Sequence, residues 1–413
     1  MVGGSGPAQA SWTNWAGNQA CTPARRAAPT SEDAAVGLVR SAIAAGEPLR
    51  LAAAGHSVTP VCLTGGLLLE GGGLTGVVGV DRKRRRVRAL PGTTIAAFGD
   101  RLWGEGLAFA NQGDIDTQQI AGAVATGTHG SGISLGSISS SLRGVRLVTG
   151  TGDVIEIGED RPDLLHAAQV SVGMLGMMLE LEIEVAAAYR LRERIEHRPY
   201  GEVMEQWDAL VASHRHFSFF WLPSERSGEL YGLATPAAVP ITDTCYVKLY
   251  DEAADHEPDD ATPGRRVDRS YRIYPAVFDA NFHELEYCVP MTRGREAVGA
   301  MRELMLARLP DSVFPMEVRT TAGDDAYLSS NYGGATTVIS VSGSPGTDYW
   351  PYLREVDALL GTFGARVHWG KLHFLTRRQL SERYPESERF IAIRREFDPQ
   401  GLLLNDHLRE LFA

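Results

Sequence analysis

The chain has 413 residues, of which 44% are hydrophobic and 22% are charged, a composition typical of a folded globular protein and not of a disordered chain. At roughly 100–200 residues per domain, this length predicts two domains or three. The 40 basic and 51 acidic residues give a formal net charge of −11, which disfavours general nucleic-acid binding and a polybasic membrane anchor.

Other features of the sequence bear on location and on metal binding. No run approaches the ~18 apolar residues of a membrane span, and the start of the chain lacks the basic and apolar regions of a signal peptide. The 4 cysteines form no C-x-x-C pair, so no metal site is predicted. We therefore expect a cytoplasmic protein without a membrane span.

Residues 1–186 predict an alternation of short helices and strands. Helical periodicity over 33–45 begins after Ser31 and ends at Gly46, and a second helical face covers 95–106. The basic run 81–86 is interpreted as an exposed hairpin tip. Short apolar runs bounded by turn residues predict strands at 49–54, 67–69, 77–80, 87–90, 145–148, 154–157 and 179–185.

After residue 186 the predicted strands become aromatic or β-branched, at 217–222, 244–250 and 338–341. A long helix is predicted over 293–309, and the acidic, proline-containing stretch 251–264 is typical of a surface loop. This change of pattern predicts two α+β domains with a boundary near residue 186.

Two segments are typical of a site where a cofactor approaches the backbone. Residues 52–57 follow a predicted strand with small side chains, so their N–H groups can reach an anion; a tight turn with a surface histidine explains them equally well. Residues 113–132 combine glycines and hydroxyls with apolar residues that a linker would not need. They suit a flat, phosphate-bearing cofactor, although they match neither a G-x-G-x-x-G fingerprint nor a Walker A loop.

Two further segments carry charged side chains in a compact pattern. Glu317 and Arg319 alternate with Val318 as in a strand, so both lie on one face and form either a surface ion pair or the wall of a polar pocket. Residues 368–371, His-Trp-Gly-Lys, place an imidazole and a cation close together, which by itself indicates no particular function.

In this order, the four segments resemble the FAD-linked oxidases of the vanillyl-alcohol oxidase superfamily, and most closely the aldonolactone oxidases and alditol oxidase. Asn-Trp-Ala-Gly at 14–17, Gly-Met-Leu-Gly at 173–176 and Leu-Asn-Asp at 404–406 extend the resemblance over nearly the whole chain. It implies an α+β, two-domain fold of the vanillyl-alcohol oxidase type. Residues 1–186, completed by 380–413, would bind FAD, and 187–379 would form a substrate-binding cap domain with a large antiparallel sheet.

The resemblance also implies roles for individual residues. His56 occupies the position that carries a covalent bond to the flavin in relatives with a histidine there, so a covalent FAD is expected. Glu317, Arg319 and Lys371 would be catalytic, and together with Asp114 they would bind the substrate. The implied FAD-binding residues are Ala53, Ala54, Gly55, His56, Ser57, Gly113, Asp114, Gly122, Ala123, Thr126, Gly127, Thr128, His129, Gly176 and His368.

The implied activity is hydride transfer from a hydroxyl-bearing carbon of an aldono-1,4-lactone to flavin N5, with reoxidation by O2, giving H2O2, or by another acceptor. Oxidation of an alditol or of a polyhydroxylated sugar-type intermediate is the alternative. A flavin-binding protein without catalysis is a third hypothesis, against which the retained Glu317, Arg319 and Lys371 argue.

Two residues bear on that choice. Alditol oxidase has a serine where this chain has Asp114, and the Gly-Asp-Ile-Asp sequence at 113–116 resembles the lactone oxidases. Gly113 lies where a small residue accompanies oxygen reactivity in the family. We therefore expect a lactone substrate. Gly113 favours an oxidase, but some relatives with similar loops prefer another electron acceptor, so a dehydrogenase stays open as the alternative.

Overall fold

Two sheets organise the N-terminal part of the protein, whose computed structural model describes residues 11–234, 240–276, 281–308 and 314–413. The strands are β1 (Trp12–Thr13), β2 (Ala20–Cys21), β3 (Arg25–Ala27), β4 (Leu49–Ala52), β5 (Leu67–Glu70), β6 (Val77–Asp81), β7 (Arg86–Ala89), β8 (Leu107–Ala108), β9 (Leu142–Val148), β10 (Val154–Gly158) and β11 (Met177–Glu184). The helices are α1 (Glu32–Ala45), α2 (Ile95–Trp103), α3 (Ile120–Thr126) and α4 (Pro162–Gln169). Strands β3, β5 and β4 pair in parallel, whereas β10, β9, β11, β7 and β6 form an antiparallel sheet in that order.

One larger sheet dominates the rest of the chain. Its strands lie in the order β16-β13-β15-β14-β18-β19-β17-β20, and all neighbours are antiparallel. The strands of this region are β12 (Ala186–Ala187), β13 (Arg190–Pro199), β14 (His216–Leu222), β15 (Thr244–Ala253), β16 (Val267–Arg269), β17 (His283–Pro290), β18 (Met316–Thr321), β19 (Thr336–Gly343) and β20 (Arg366–Val367). The helices are α5 (Tyr200–Glu205), α6 (Trp207–Ser213), α7 (Ser227–Leu230), α8 (Ser270–Ile273), α9 (Met291–Arg308), α10 (Trp350–Gly361), α11 (Arg377–Arg383), α12 (Ser387–Phe397) and α13 (Asp406–Phe412).

Local signals explain the first helix and the first hairpins. Ser31 caps α1 by accepting a hydrogen bond from the Ala34 N–H, and Gly46 ends it in the left-handed conformation with φ +60°. The basic run 81–86 is the exposed turn between β6 and β7, as predicted. Helix α2 ends at Trp103 and not at residue 106, because the chain turns at Gly106, with φ +74°, into β8.

Long-range pairing extends one strand beyond its local signal. Residues 251–253 of the predicted surface loop continue β15, because Asp251, Glu252 and Ala253 pair with the first three residues of β13. The acidic composition of this stretch predicts a loop, but the ladder of a neighbouring strand 60 or so residues away overrides that preference. Met1 to Ala10 and Leu309, which the sequence analysis uses, lie outside the described residues.

The eight-stranded sheet has two chemically different faces. Phe217, Phe219 and Trp221 of β14 point to an apolar face and are buried in the main core with side chains of α6 and α9. The alternate residues Ser218 and Phe220 point to the opposite face, which carries most of the buried charged side chains described below. The α+β fold with a large antiparallel sheet is therefore confirmed.

The end of the chain returns to the N-terminal sheets. The Leu49 N–H donates to the Leu402 carbonyl oxygen at 2.8 Å, and Asn405 Nδ2 donates to the carbonyl oxygens of Pro60 and Leu63. The division after residue 186 falls within β12, and the main core contains residues from both sides of it, so the domain boundaries stay a prediction. No helix in the described ranges has both the length and the apolar surface needed to cross a membrane.

Candidate active site

A cavity of about 1270 Å³, part of which is continuous with solvent, lies between the N-terminal sheets and the polar face of the large sheet. Its walls are the loop after β4, helix α3, the turn before β11 and the start of β17. The predicted site residues that line it are Ala53, Ala54, Gly55, His56, Ser57, Gly122, Ala123, Thr126, Gly176, His368 and Lys371.

The loop at residues 53–57 is held by backbone contacts on both sides. The Trp15 N–H donates to the Gly55 carbonyl oxygen, and the Val58 N–H donates to the Gly370 carbonyl oxygen, both at 2.9 Å. Gly55 has φ +71°, a conformation that favours glycine. Within the described chain, the backbone N–H groups of residues 54–57 donate no hydrogen bond, so they remain available beside the cavity.

Helix α3 packs directly against this loop. A Cβ atom on Gly122 would lie 2.7 Å from the Cβ of Ala53, which is closer than side chains approach. The apolar residues Ile120, Ala123 and Val124 of this helix are buried, so the glycine-rich segment is a packed element, not a linker.

His56 projects from the loop with its two ring nitrogens in different environments. Its Nε2 lies 3.1 Å from Thr117 Oγ1, whereas Nδ1 is buried and has no hydrogen-bond partner among the described residues. Burial, with a smaller contribution from the Lys371 charge, lowers the pKa of His56 to about 4. The imidazole is therefore neutral at physiological pH.

Strand register brings a second group of side chains together on the polar face of the sheet. Glu317 of β18 lies opposite Phe220 and Ser340, and Ser340 in turn lies opposite Glu286 of β17. Arg319 is two residues along β18, and its Nε donates to Glu317 Oε1 at 2.8 Å. The prediction that Glu317 and Arg319 share a face is confirmed.

Further ion pairs connect this cluster to the loop that precedes α3 and to the neighbouring strands. Arg319 lies 3.7 Å from Asp114 and 3.8 Å from Glu286, and Lys248 Nζ lies 3.2 Å from Asp114 Oδ2. Ser340 Oγ donates to Glu286 at 2.6 Å. The Lys371 ammonium pairs with Glu284, which lines the cavity beside it.

The electrostatic environment shifts the pKa values of Glu317 and Asp114 in opposite directions. Burial raises the pKa of Glu317 to about 7, although Arg319 opposes the shift. Burial also penalises the charge of Asp114, but Lys248 and Arg319 outweigh it and hold the pKa of Asp114 below its usual value. Of these two carboxyl groups, only Glu317 therefore changes its protonation state near neutral pH.

His129, Glu286 and His368 place three ligand atoms within 4.8 Å of one another, a spacing that a metal ion could use. Burial alone would lower the pKa of His129, but the Glu286 carboxylate at 3.2 Å raises it to about 10. His129 therefore carries a proton on both nitrogens, one of which it donates to the Gly130 carbonyl oxygen. His368 Nδ1 accepts from the Gly370 N–H at 3.0 Å, so neither ring offers a free lone pair to a metal.

Seven predicted site residues lie outside the cavity wall: Gly113, Asp114, Gly127, Thr128, His129, Glu317 and Arg319. Asp114 joins the charged cluster instead, and Gly127 ends α3 with φ +80°. The Thr128 N–H donates to the Ala123 carbonyl oxygen, which also suits an architectural role.

Sequence reasoning missed four residues of the cluster: Lys248, Glu284, Glu286 and Ser340. A signal for two of them is present, because Glu284 and Glu286 alternate with Leu285 and Tyr287 along β17. This alternation predicts one acidic and one apolar face of a strand.

Comparisons with known proteins agree with this geometry. The D-arabinono-1,4-lactone oxidase family matches residues 229–411, and the FAD binding domain family matches residues 23–158. The L-gulono-1,4-lactone dehydrogenase of Mycobacterium tuberculosis (strain ATCC 25618 / H37Rv) is 32% identical over 426 residues, which cover 97% of this chain and 99% of that protein. The chain belongs to the FAD-linked aldonolactone oxidoreductase family. It is thus an FAD-dependent oxidoreductase that acts on CH–OH groups.

Two other proteins place this family member in a wider group. The alditol oxidase of Streptomyces sp. (strain IKD472 / FERM P-14339) is 30% identical, with 97% of this chain and 98% of that protein covered. The structure of cholesterol oxidase from B. sterolicum superposes with a TM-score of 0.84 at 14% identity, covering 98% of this chain and 96% of the other. At that identity the likeness concerns the fold, which is of the vanillyl-alcohol oxidase type.

The residues around the cavity of this aldonolactone oxidoreductase fit an FAD. Gln118 and Gln119 line the cavity, and their side-chain oxygens, like His56 Nδ1, are buried without a partner among the described residues. Buried polar atoms are almost always paired, so these atoms indicate a polar ligand. The free N–H groups of residues 54–57 are suited to a pyrophosphate, because backbone donors can surround an anion closely.

Proposed function

We propose that the protein oxidises a hydroxyl-bearing ring carbon of an aldono-1,4-lactone. The observation that carries this proposal is the ion pair of the buried Glu317 with the half-buried Arg319. Arg319 also lies 3.8 Å from Glu286 of β17, the strand whose Glu284 contacts Lys371 at the cavity wall. A carboxylate and a guanidinium on one face bind a hydroxyl group and a second oxygen of the same substrate. The similarity to an L-gulono-1,4-lactone dehydrogenase supports a lactone.

When bound, FAD supplies the hydride acceptor at N5. Arg319 holds and polarises a substrate oxygen, while Glu317 accepts the proton of the hydroxyl group whose carbon loses the hydride. With a pKa of about 7, Glu317 is suited to take up a proton at neutral pH. The product is a 2-keto lactone that tautomerises to an enediol.

Lys371 would stabilise the negative charge that a bound flavin gains on reduction. The ammonium belongs to the turn 368–371, which is fixed by hydrogen bonds from the His368 N–H to the Glu286 carbonyl oxygen and from the Leu372 N–H to the Glu284 carbonyl oxygen. A cation held in place needs no reorganisation when charge develops, which is the main advantage of a preorganised site.

His56 is proposed to carry FAD covalently, through Nδ1. This nitrogen has no partner among the described residues while Nε2 faces Thr117, and the neutral ring is nucleophilic. Flavin that stays with the polypeptide after acid precipitation would support the bond. The control is a His56→Ala variant, which should release its flavin on precipitation, so that peptide mapping finds no peptide that carries flavin.

O2 or another electron acceptor is proposed to reoxidise the flavin. Gly113 is the residue that tests the choice of acceptor. A Cβ atom there would lie 3.2 Å from the His129 carbonyl oxygen, so an alanine would crowd the segment only slightly. A Gly113→Ala variant that reacts more slowly with O2, but equally fast with an artificial dye acceptor, would support an oxidase.

We also propose a cytoplasmic location. Cys21, Cys62, Cys245 and Cys288 are free thiols in the structure, which suits a reducing compartment. Fractionation of the producing cells, followed by detection of the protein in the soluble fraction, checks this proposal.

The test of the substrate is anaerobic flavin reduction, with xylitol as the paired control. Loss of oxidised-flavin absorbance with L-gulono-1,4-lactone and not with xylitol is the expected result. Reduction by xylitol alone would assign the protein to alditol oxidation and contradict the interpretation of Asp114. Reduction by neither compound would contradict the proposed substrate class while leaving the family assignment intact.

A further inference from the structure

Three side chains form a row across adjacent strands on the polar face of the sheet. Ser218 of β14 lies directly opposite Lys248 of β15 on one side and Arg319 of β18 on the other. Directly opposite residues of antiparallel strands point to the same face, so the two cations flank a small hydroxyl side chain. The row continues the Glu317–Arg319 pair away from the cavity wall.

Asp114 reaches this row from the loop that precedes α3. Its carboxylate lies 3.2 Å from Lys248 Nζ and 3.7 Å from Arg319 Nη2. An ammonium group has three donors and a carboxylate has about four acceptor sites, so the pair leaves hydrogen-bonding capacity unused. In the described part of the chain, Asp114 is the carboxylate that forms an ion pair with Lys248.

The strand order separates Lys248 from the flavin end of the site. Strand β15 is four positions from β17, which carries Glu284 and the Lys371 contact, and β18 lies midway between them. With strands about 4.8 Å apart, the two ends are roughly 19 Å apart, and each is roughly 10 Å from the backbone of Arg319. Arg319 therefore lies between Lys371 and Lys248, so a ligand that extends from Arg319 in both directions would approach one of these cations at each end.

Aromatic rings complete the surroundings of Lys248. The ammonium lies 5.8 Å from the ring centroids of both Phe220 and Tyr250. Aromatic walls beside a few charged donors and acceptors are typical of pockets that bind an amphipathic small molecule. The carbon chain of a sugar, with C–H groups between its hydroxyls, has this character.

We propose that Lys248 and Asp114 form a second subsite, which binds the hydroxylated chain that a sugar lactone carries on its ring. The inference rests on the proposed lactone activity and specifies which part of the substrate the enzyme recognises. Lys248 donates to a chain hydroxyl oxygen and Asp114 accepts a chain hydroxyl proton. A lactone without the chain leaves both charged groups with fewer partners, and sites of this kind discriminate strongly against such analogues.

The test compares three lactones in anaerobic stopped-flow reduction of the FAD-loaded enzyme. L-Gulono-1,4-lactone carries two chain carbons, D-arabinono-1,4-lactone carries one, and D-erythrono-1,4-lactone carries none. The measured quantity is the reduction rate constant divided by the apparent Kd, and its ratio between the gulono and erythrono compounds reports chain recognition.

In Lys248→Met, we expect this ratio to fall at least tenfold, mainly through a weaker Kd for the gulono compound. Lys248→Arg keeps a cationic donor and retains most of the ratio, and Lys248→Gln provides the same test as Met if the Met variant does not fold. The matched control is Arg302→Met, which removes an ion pair with Asp243 on the other face of the sheet and leaves the ratio as in the wild type.

An equal loss for all three lactones in Lys248→Met would overturn the subsite, because it would mean that the ion pair merely anchors the loop. If Lys248→Met changed the value for none of the three lactones, the ratio would also stay unchanged and the subsite would be overturned as well. If no lactone reduces the wild-type flavin, the proposed function itself fails and the subsite fails with it, so the two failures are distinguishable.

Discussion

Glu317 is a buried carboxyl group whose surroundings set the pH at which it can accept a proton. It is 7% exposed, and burial raises its pKa to about 7 against the opposing charge of Arg319. A proton acceptor with a pKa near the working pH combines a sufficient ionised fraction with adequate basicity. The pH dependence of substrate oxidation therefore reports on this residue.

The first prediction concerns this pH dependence. Above about pH 7 Glu317 is ionised and able to accept a proton, so the rate of flavin reduction by lactone should rise with pH and level off above that value. Glu317→Gln should lower the rate by roughly 10²–10⁴-fold and remove the rise. Stopped-flow reduction between pH 5 and 9 measures both, and a rise that persists in the Gln variant would exclude Glu317 as the acceptor.

Lys371 and Glu284 form the residue pair that sets the charge at the other end of the site. The Lys371 ammonium contacts the Glu284 carboxylate, and both groups line the cavity. The carboxylate offsets part of the positive charge that would stabilise a reduced, negatively charged flavin. Glu284 therefore tunes the effect of Lys371.

The second prediction concerns the flavin midpoint potential. Glu284→Gln should raise it and Lys371→Met should lower it, each by about 30 mV or more, which corresponds to ~1.4 kcal/mol for two electrons. Equilibration with a reference dye measures the shift. Ser342→Ala, at the position opposite Glu284 in the sheet, is the control and should leave the potential unchanged.

At the scale of elements, the close approach of α3 to the loop at residues 53–57 shapes the cavity. Because a Cβ on Gly122 would lie 2.7 Å from Ala53, the helix and the loop can touch only if residue 122 has no side chain. Two backbone segments in such contact leave little freedom to adjust, since interiors are close-packed.

The third prediction tests this contact. Gly122→Ala should push the loop away from α3 and reduce the bound flavin severalfold, as measured by the ratio of visible to ultraviolet absorbance of the purified protein. Gly37→Ala is the matched control, because Gly37 lies in α1 and a Cβ there has nothing within 4 Å. Exchange of glycine for alanine within a helix should stabilise that control by about 0.5–1 kcal/mol. Full flavin content in Gly122→Ala would show that the loop tolerates displacement.

At the scale of the whole molecule, Arg50 joins four segments that are distant in sequence. It is 2% exposed and donates to the carbonyl oxygens of Val61, Val172, Gly173 and Leu403. Burial lowers its pKa to about 10, so the guanidinium keeps its charge at neutral pH. The side chain thus fastens the returning C-terminal segment to β4 and to the turn before β11.

The fourth prediction follows from this junction. Arg50→Met should lower the free energy of unfolding by at least ~3 kcal/mol, because several buried carbonyl groups lose their donor. Hydrogen exchange at residues 402–412 should accelerate more than at the large sheet. Arg25→Met, which removes an exposed ion pair with Glu47, should change stability by less than ~1 kcal/mol. Equal effects of the two variants would contradict the junction.

Several features of this protein follow from local patterns in the sequence alone. The caps of α1, the hairpin of β9 and β10, and the shared face of Glu317 and Arg319 were predictable, because each depends on neighbouring residues and on a period of two or of 3.6. The family and its FAD were predictable because the ordered motifs lie in the chain itself. The same holds for the α+β class.

Only the tertiary structure decided which side chains meet in the charged cluster. Asp114 and Lys248 are 134 residues apart, and Lys248, Glu317 and Glu284 come from strands whose order in the sheet is not their order in the chain. Strand order and register depend on which faces pack together over long range, and no local period encodes that choice. Composition and periodicity determined the elements, whereas burial in one shared interior determined their neighbours and raised the pKa of Glu317.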